Sequence, residues 1–135
     1  MYLLDSNTCI RILTQRSPGL VARMQQCDAA QIGLCSVVKA ELIYGARKSE
    51  RVEENLKLLA EFFAPFSCFP FDDQCAEYYG TIRADLERAG QPIGPNDLMI
   101  AAIARVHDHV LVTHNTGEFS RVVGLRIEDW ELDEE

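Results

Sequence analysis

Short apolar runs recur along the chain, each stopping at a polar residue and each followed by a stretch of helical spacing. Tyr2-Leu3-Leu4 ends at Asp5 and predicts a buried strand. Ser6, Asn7 and Thr8 then offer helix caps ahead of Cys9-Ile10-Arg11-Ile12-Leu13. Ser17-Pro18 reads as an N-cap with proline at the first helical position, opening a helix through Gln26. Residues 31–35 predict a second strand, and Ser36 is expected to cap a helix whose Val37, Val38, Leu42 and Ile43 form an apolar stripe before Gly45. An amphipathic segment over 50–63 carries Val52, Leu56, Leu59 and Phe63 on one face and ends at Pro65. Residues 66–69 predict a third strand, and Asp72 or Asp73 begins a helix with Cys75, Tyr79, Ile82 and Leu86 at helical spacing. Gly90 and Pro92 stop it. Residues 98–104 are apolar almost all round, the mark of a helix buried between layers. Residues 110–113 predict a fourth strand and 125–127 a fifth. Strands that alternate with helices predict an α/β fold with a mostly parallel sheet and helices on both faces. In such sheets ligands sit at the carboxyl ends of the strands, near a topological switch point. Asp5 and Thr113-His114-Asn115 both follow strands there.

A length of 135 residues implies one domain, spanning 1–135, and 47% apolar with 25% charged residues is the composition of an ordinary globular chain. No apolar run approaches the roughly 18–20 residues of a membrane span. The first residues meet an acid with no basic region before it, so no membrane role and a cytoplasmic location are expected. Cys9, Cys27, Cys35, Cys68 and Cys75 include no C-x-x-C pair and read as buried reduced thiols. The net charge of −8 argues at first against a nucleic-acid partner. Six of the acids, however, fall in 128–135, which reads as a solvated acidic C-terminal tail; without them the balance is only −2.

Asp5, Glu41, Asp97 and Glu118 stand where an acid needs a reason, because a buried carboxylate is costly unless paired, hydrogen-bonded or metal-bound. Each has an ordinary reading. Asp5 serves as a helix cap, Asp97 meets the positive end of its helix, Glu41 pairs with Arg47 or Lys48, and Glu118 is a solvated loop acid. Convergence of three or four at one sheet edge instead favours a divalent cation with hard oxygen ligands, Mg²⁺ or Mn²⁺. His107, His109 and His114 lack zinc-site spacing and read as surface or turn histidines. No nucleophile elbow or nucleotide-cradling loop is present in the sequence.

Four stretches resemble the PIN-domain ribonucleases of the VapC toxin type. They are Tyr2-Leu3-Leu4-Asp5-Ser6-Asn7-Thr8-Cys9-Ile10, Glu41-Leu42-Ile43-Tyr44-Gly45-Ala46, the segment from Ile93-Gly94-Pro95-Asn96-Asp97 through Ala102, and Val112-Thr113-His114-Asn115-Thr116-Gly117-Glu118-Phe119. The ending Gly124-Leu125-Arg126-Ile127-Glu128-Asp129-Trp130 is similar to this group as well. The resemblance implies a three-layer α/β/α sandwich and a metal-dependent endoribonuclease acting as the toxin of a type II toxin–antitoxin pair. Asp5 and Asp97 would be the metal ligands, with Glu41 completing the acidic triad. Asn115 stands where many relatives carry an acid, and Glu118 follows three residues later, so the resemblance leaves the fourth role open between Asn115 and Glu118. Thr8 (or Ser6) and Thr113 are candidates for contacts to water or phosphate.

Phosphodiester hydrolysis needs an activated nucleophile and neutralisation of the charge growing on the phosphoryl oxygens, both of which a carboxylate-held cation supplies. The cation also turns an acidic pocket from repelling RNA to attracting it. Lys39, Arg47, Lys48 and Arg51 around the Glu41 helix are candidates for flanking phosphates, or form a solvated basic face. The implied partners are an RNA substrate such as transfer RNA, a VapB-type antitoxin, and a second copy in a homodimer within a higher complex, with DNA reached only through the antitoxin. The alternative is a catalytically silent PIN-like binding module, which would be expected to have lost one of Asp5, Glu41 or Asp97. A receiver-like signalling domain fails, because no lysine occurs after Lys57.

Overall fold

The computed structural model describes residues 1–131. In chain order the elements are β1 (Tyr2–Leu4), α1 (Ser6–Leu13), α2 (Pro18–Gln26), a 3₁₀ turn (Ala29–Gln31), β2 (Ile32–Cys35), α3 (Ser36–Arg47), α4 (Val52–Phe63), β3 (Ser67–Phe69), α5 (Asp73–Arg88), α6 (Pro95–Val106), β4 (Val110–Val112), α7 (Thr116–Phe119) and β5 (Ile127–Glu128). The strands form one sheet in the order β3-β2-β1-β4-β5, and all four pairings are parallel. This is the expected α/β sandwich. Parallel strands buried on both faces must be apolar at consecutive positions, which is why Leu3-Leu4, Ile32 to Cys35 and Leu111-Val112 carry no polar alternation.

The helix apolar on all sides, α6, has Leu98 and Ile100 to Ala104 buried, and it packs along α5. Helix α3 packs against α4 and α1 and also reaches α6, which brings it over the carboxyl end of the sheet. Gly33 is required by close packing: a Cβ there would lie 2.6 Å from the Phe69 ring. Among the described residues no helix is long and apolar enough to cross a membrane.

Several local expectations shift. The cap of α1 is Asp5 itself, in extended conformation, and Ser6 to Thr8 are already helical. Likewise Cys35 caps α3, while Ser36 is its first residue and accepts a hydrogen bond from the Phe71 N–H. The fifth strand begins at Ile127, not Leu125, because Gly124 at φ +78° and the Leu125 N–H to Val122 carbonyl bond still belong to a turn. All five cysteines are free, but Cys68, on the edge strand β3, is exposed and Cys27 is half-buried rather than buried.

The acidic ending is also corrected over its described part. Glu128 lies in β5 and accepts from Trp130 Nε1 and Arg23, the Trp130 ring meets Tyr2 edge-on at 5.1 Å, and Asp129 and Glu131 have buried side chains. Residues 132–135 lie outside the described residues.

Candidate active site

The order β3-β2-β1-β4-β5 makes β1 and β4 the central neighbours from which the chain departs to opposite sides, so a crevice opens at their carboxyl ends. Asp5 leaves β1 at that point, 5% exposed. One of its oxygens accepts the Thr8 N–H at 2.8 Å, so the ordinary capping reading is correct and one carboxylate oxygen remains for other work. The Asp5 N–H bonds to the Val112 carbonyl at 3.2 Å, which ties the start of α1 to the end of β4. Thr8 donates its hydroxyl to the same carbonyl, and Thr113 accepts the Asn115 N–H at 3.0 Å. Both threonines are buried, and their hydroxyls hold the loops that carry Asp5 and Asn115.

Glu41 stands half-buried on α3 and accepts the Ser6 hydroxyl at 2.9 Å. The expected pairing with Arg47 or Lys48 is absent among the described residues: Lys48 Nζ sits over the Tyr44 ring instead. Asp97 lies in the first turn of α6, where its carboxyl is pushed up to about 6 by burial and then by the charges of Glu118, Asp5 and Glu41. Glu118 is no loose loop acid. It accepts from the Gly94 N–H at 3.3 Å and from Asn115 Nδ2 at 2.7 Å, clamping α7 to the entry of α6. Residues scattered from 5 to 118 thus share one electrostatic site. None of the four acids has a lysine or arginine ion pair among the described residues.

The four basic residues named around the Glu41 helix differ in their partners. Lys39 stacks over Phe63, Arg51 pairs with Glu54 on the exposed surface, and only Arg47 has no described partner. Two groups at the crevice were missed by sequence reasoning. Arg11 pairs with Glu131, and His114 with Asp129 at 2.9 Å. Their acids belong to the segment read as a tail, and only the β4–β5 register brings that segment beside His114.

Residues 2–125 match the PIN domain family model. The chain is 41% identical over 129 residues to the tRNA(fMet)-specific endonuclease VapC of Shigella flexneri, covering 96% of this chain and 97% of that protein. The DNA-bound VapBC structure from Salmonella typhimurium superposes with a TM-score of 0.90 at 40% identity, covering 96% and 97% of the two chains. VapBC2 from Rickettsia felis, bound to a promoter DNA fragment, superposes with a TM-score of 0.87 at 34% identity over 96% and 98%. The chain belongs to the PIN-domain family and is a VapC-type ribonuclease.

Proposed function

We propose that Asp5 and Asp97 hold a divalent cation, Mg²⁺ or Mn²⁺, with Glu41 completing the triad, and that this centre hydrolyses RNA phosphodiester bonds. The observation that carries the reading is Asp97: its carboxyl is raised to about 6 by burial and then by the charges of Glu118, Asp5 and Glu41, acids that have no lysine or arginine ion pair among the described residues. Crowded oxygen donors of this kind suit a hard divalent ion. When bound, the cation lowers the pKa of water and neutralises charge on the phosphoryl group. The protein's part is placement. Thr8 fixes Asp5, Ser6 fixes Glu41, and Gly94 with Asn115 fixes Glu118, so the carboxylates need little reorganisation on binding. Asn115, unable to act as a base, orients Glu118.

The chain is a toxin endoribonuclease of a toxin–antitoxin system. Transfer RNA, the substrate named for the Shigella relative, is the proposed target, and the cytoplasm the proposed place of action. A VapB-type antitoxin is the proposed neutralising partner, bound to a homodimer of this single-domain chain within a larger complex, with DNA contacted through the antitoxin. An apolar groove of about 320 Å³ supports that partner; Ile10, Leu13, Leu42, Leu58 and Leu59 line it together with Glu41. It suits an amphipathic helix followed by a basic residue that enters the acidic site, arginine best.

The test is cleavage of initiator transfer RNA by purified protein. Asp5→Asn and Asp97→Asn should each abolish cleavage with the fold intact by circular dichroism, and chelation should silence the wild type reversibly. Full activity of either variant in Mg²⁺ or Mn²⁺ overturns the centre.

A further inference from the structure

Beside the acidic centre lies a concavity of about 400 Å³ lined by Asp5, Asn7, Ile10, Arg11, His114 and Asn115. Two of its walls are held by acids of the chain's end. Arg11 directs its Nε to Glu131, and no other N–H of its guanidinium has a partner among the described residues. The His114 ring is 65% exposed and sets Nδ1 2.9 Å from Asp129, whose side chain is 4% exposed. A carboxylate only accepts, so Nδ1 carries the proton, and in the uncharged form of the ring Nε2 is left as an acceptor. The Glu131 N–H in turn donates to the other Asp129 oxygen at 2.9 Å, so the acid is fixed before it orients the histidine.

We infer that this concavity is a nucleotide subsite flanking the scissile bond, in which Arg11 binds a backbone phosphate and His114 Nε2 accepts a ribose 2′-hydroxyl. The inference rests on the endoribonuclease reading and adds to it a residue that tells RNA from DNA, since only RNA offers that hydroxyl. Placement carries it. Arg11 and His114 share one concavity with Asp5, so a strand whose reactive phosphate meets Asp5 has its neighbouring nucleotide within this wall. A second metal site is the competing use of the same side chains, because donor atoms of His114, Asp129 and Glu131 lie within 4.8 Å of one another. It is disfavoured because the Nδ1 proton already points at Asp129 and the Arg11 guanidinium already neutralises Glu131.

The experiment uses initiator transfer RNA with single 2′-deoxynucleotides placed in turn on either side of the mapped cleavage point. With wild-type protein, one flanking position should raise KM about five-fold, the worth of one hydrogen bond. His114→Ala should raise KM on all-ribose substrate by a similar factor, leave kcat nearly unchanged, and make that one position indifferent to the deoxy change. The Arg11→Gln/Glu131→Gln double variant removes the cation with its buried partner, and should flatten the salt dependence of binding by about 0.7 on a log–log scale. Wild-type protein indifferent to every deoxy position, or His114→Ala as sensitive as wild type, overturns the subsite while cleavage itself still stands. Zn²⁺ binding by the Asp97→Asn protein that is lost on adding His114→Ala overturns it in favour of the metal site.

Discussion

Replacing Asp97 by Asn should destroy activity and stabilise the metal-free protein, two effects of opposite sign from one carboxylate. In the folded chain this group titrates at about 6, against 3.8 for an ordinary aspartate, owing to burial and then to the charges of Glu118, Asp5 and Glu41. An acid with a raised folded pKa contributes stability that is fully present below about 4 and is lost as the pH rises through about 6. At about 1.4 kcal/mol per pKa unit the full difference is about 3 kcal/mol. Asp97 is only half-buried, so solvent screening brings the figure to about 1.5 kcal/mol at pH 7.5. The amide keeps the shape and cannot ionise. In chelator, Asp97→Asn should therefore melt about 5 °C above the wild type at pH 7.5 and close to it at pH 4.5. Saturating Mg²⁺ should raise the wild type and leave the variant nearly unmoved, because binding to the native state stabilises by mass action. The assay is differential scanning fluorimetry at the two pH values with and without Mg²⁺, read as the difference between variant and wild type. A variant that melts at or below the wild type at pH 7.5 in chelator refutes the claim that burial and the neighbouring acids destabilise the ionised Asp97.

Three further outcomes follow from the same geometry. Asn115→Asp puts two carboxylates where Nδ2 now donates to Glu118 at 2.7 Å; metal-free melting at pH 7.5 should fall, and titration calorimetry should show tighter Mg²⁺ binding. Ser6→Ala removes only the hydroxyl that holds Glu41, so cleavage should slow about five-fold, whereas Glu41→Gln should be far more severe; equal losses would mean that Ser6 does something besides positioning. Trp130→Ala should cost about 3 kcal/mol in urea unfolding, since the ring is buried against Tyr2, Arg23 lies over its face and its N–H reaches Glu128. A change within 0.5 kcal/mol would return residues 128–131 to the status of a loose tail.

The order of elements was legible because the signals that set it are local. Leu3-Leu4 and Leu111-Val112 are apolar at consecutive positions because parallel strands are covered on both faces, and Leu98 to Ala104 is apolar all round because that helix lies between layers. The four acids were legible as candidates because each stands beside apolar sequence, although each also had an ordinary reading of its own. Their convergence was not. It depends on which strands pair, and pairing joins residues far apart in sequence, such as Asp5 to Val112 and Ser6 to Glu41, through contacts that no local pattern encodes. The same holds for the chain's end. By composition, Glu128, Asp129 and Glu131 are acids of a charged tail; the parallel pairing of Val112 with Glu128 turns them inward, as acceptors for Trp130, His114 and Arg11. Residue type along the chain determined the α/β layering and which carboxylates could matter. Tertiary structure alone decided their partners, because a buried charge takes its role from what the fold sets within a few ångströms of it, and those neighbours come from distant parts of the chain.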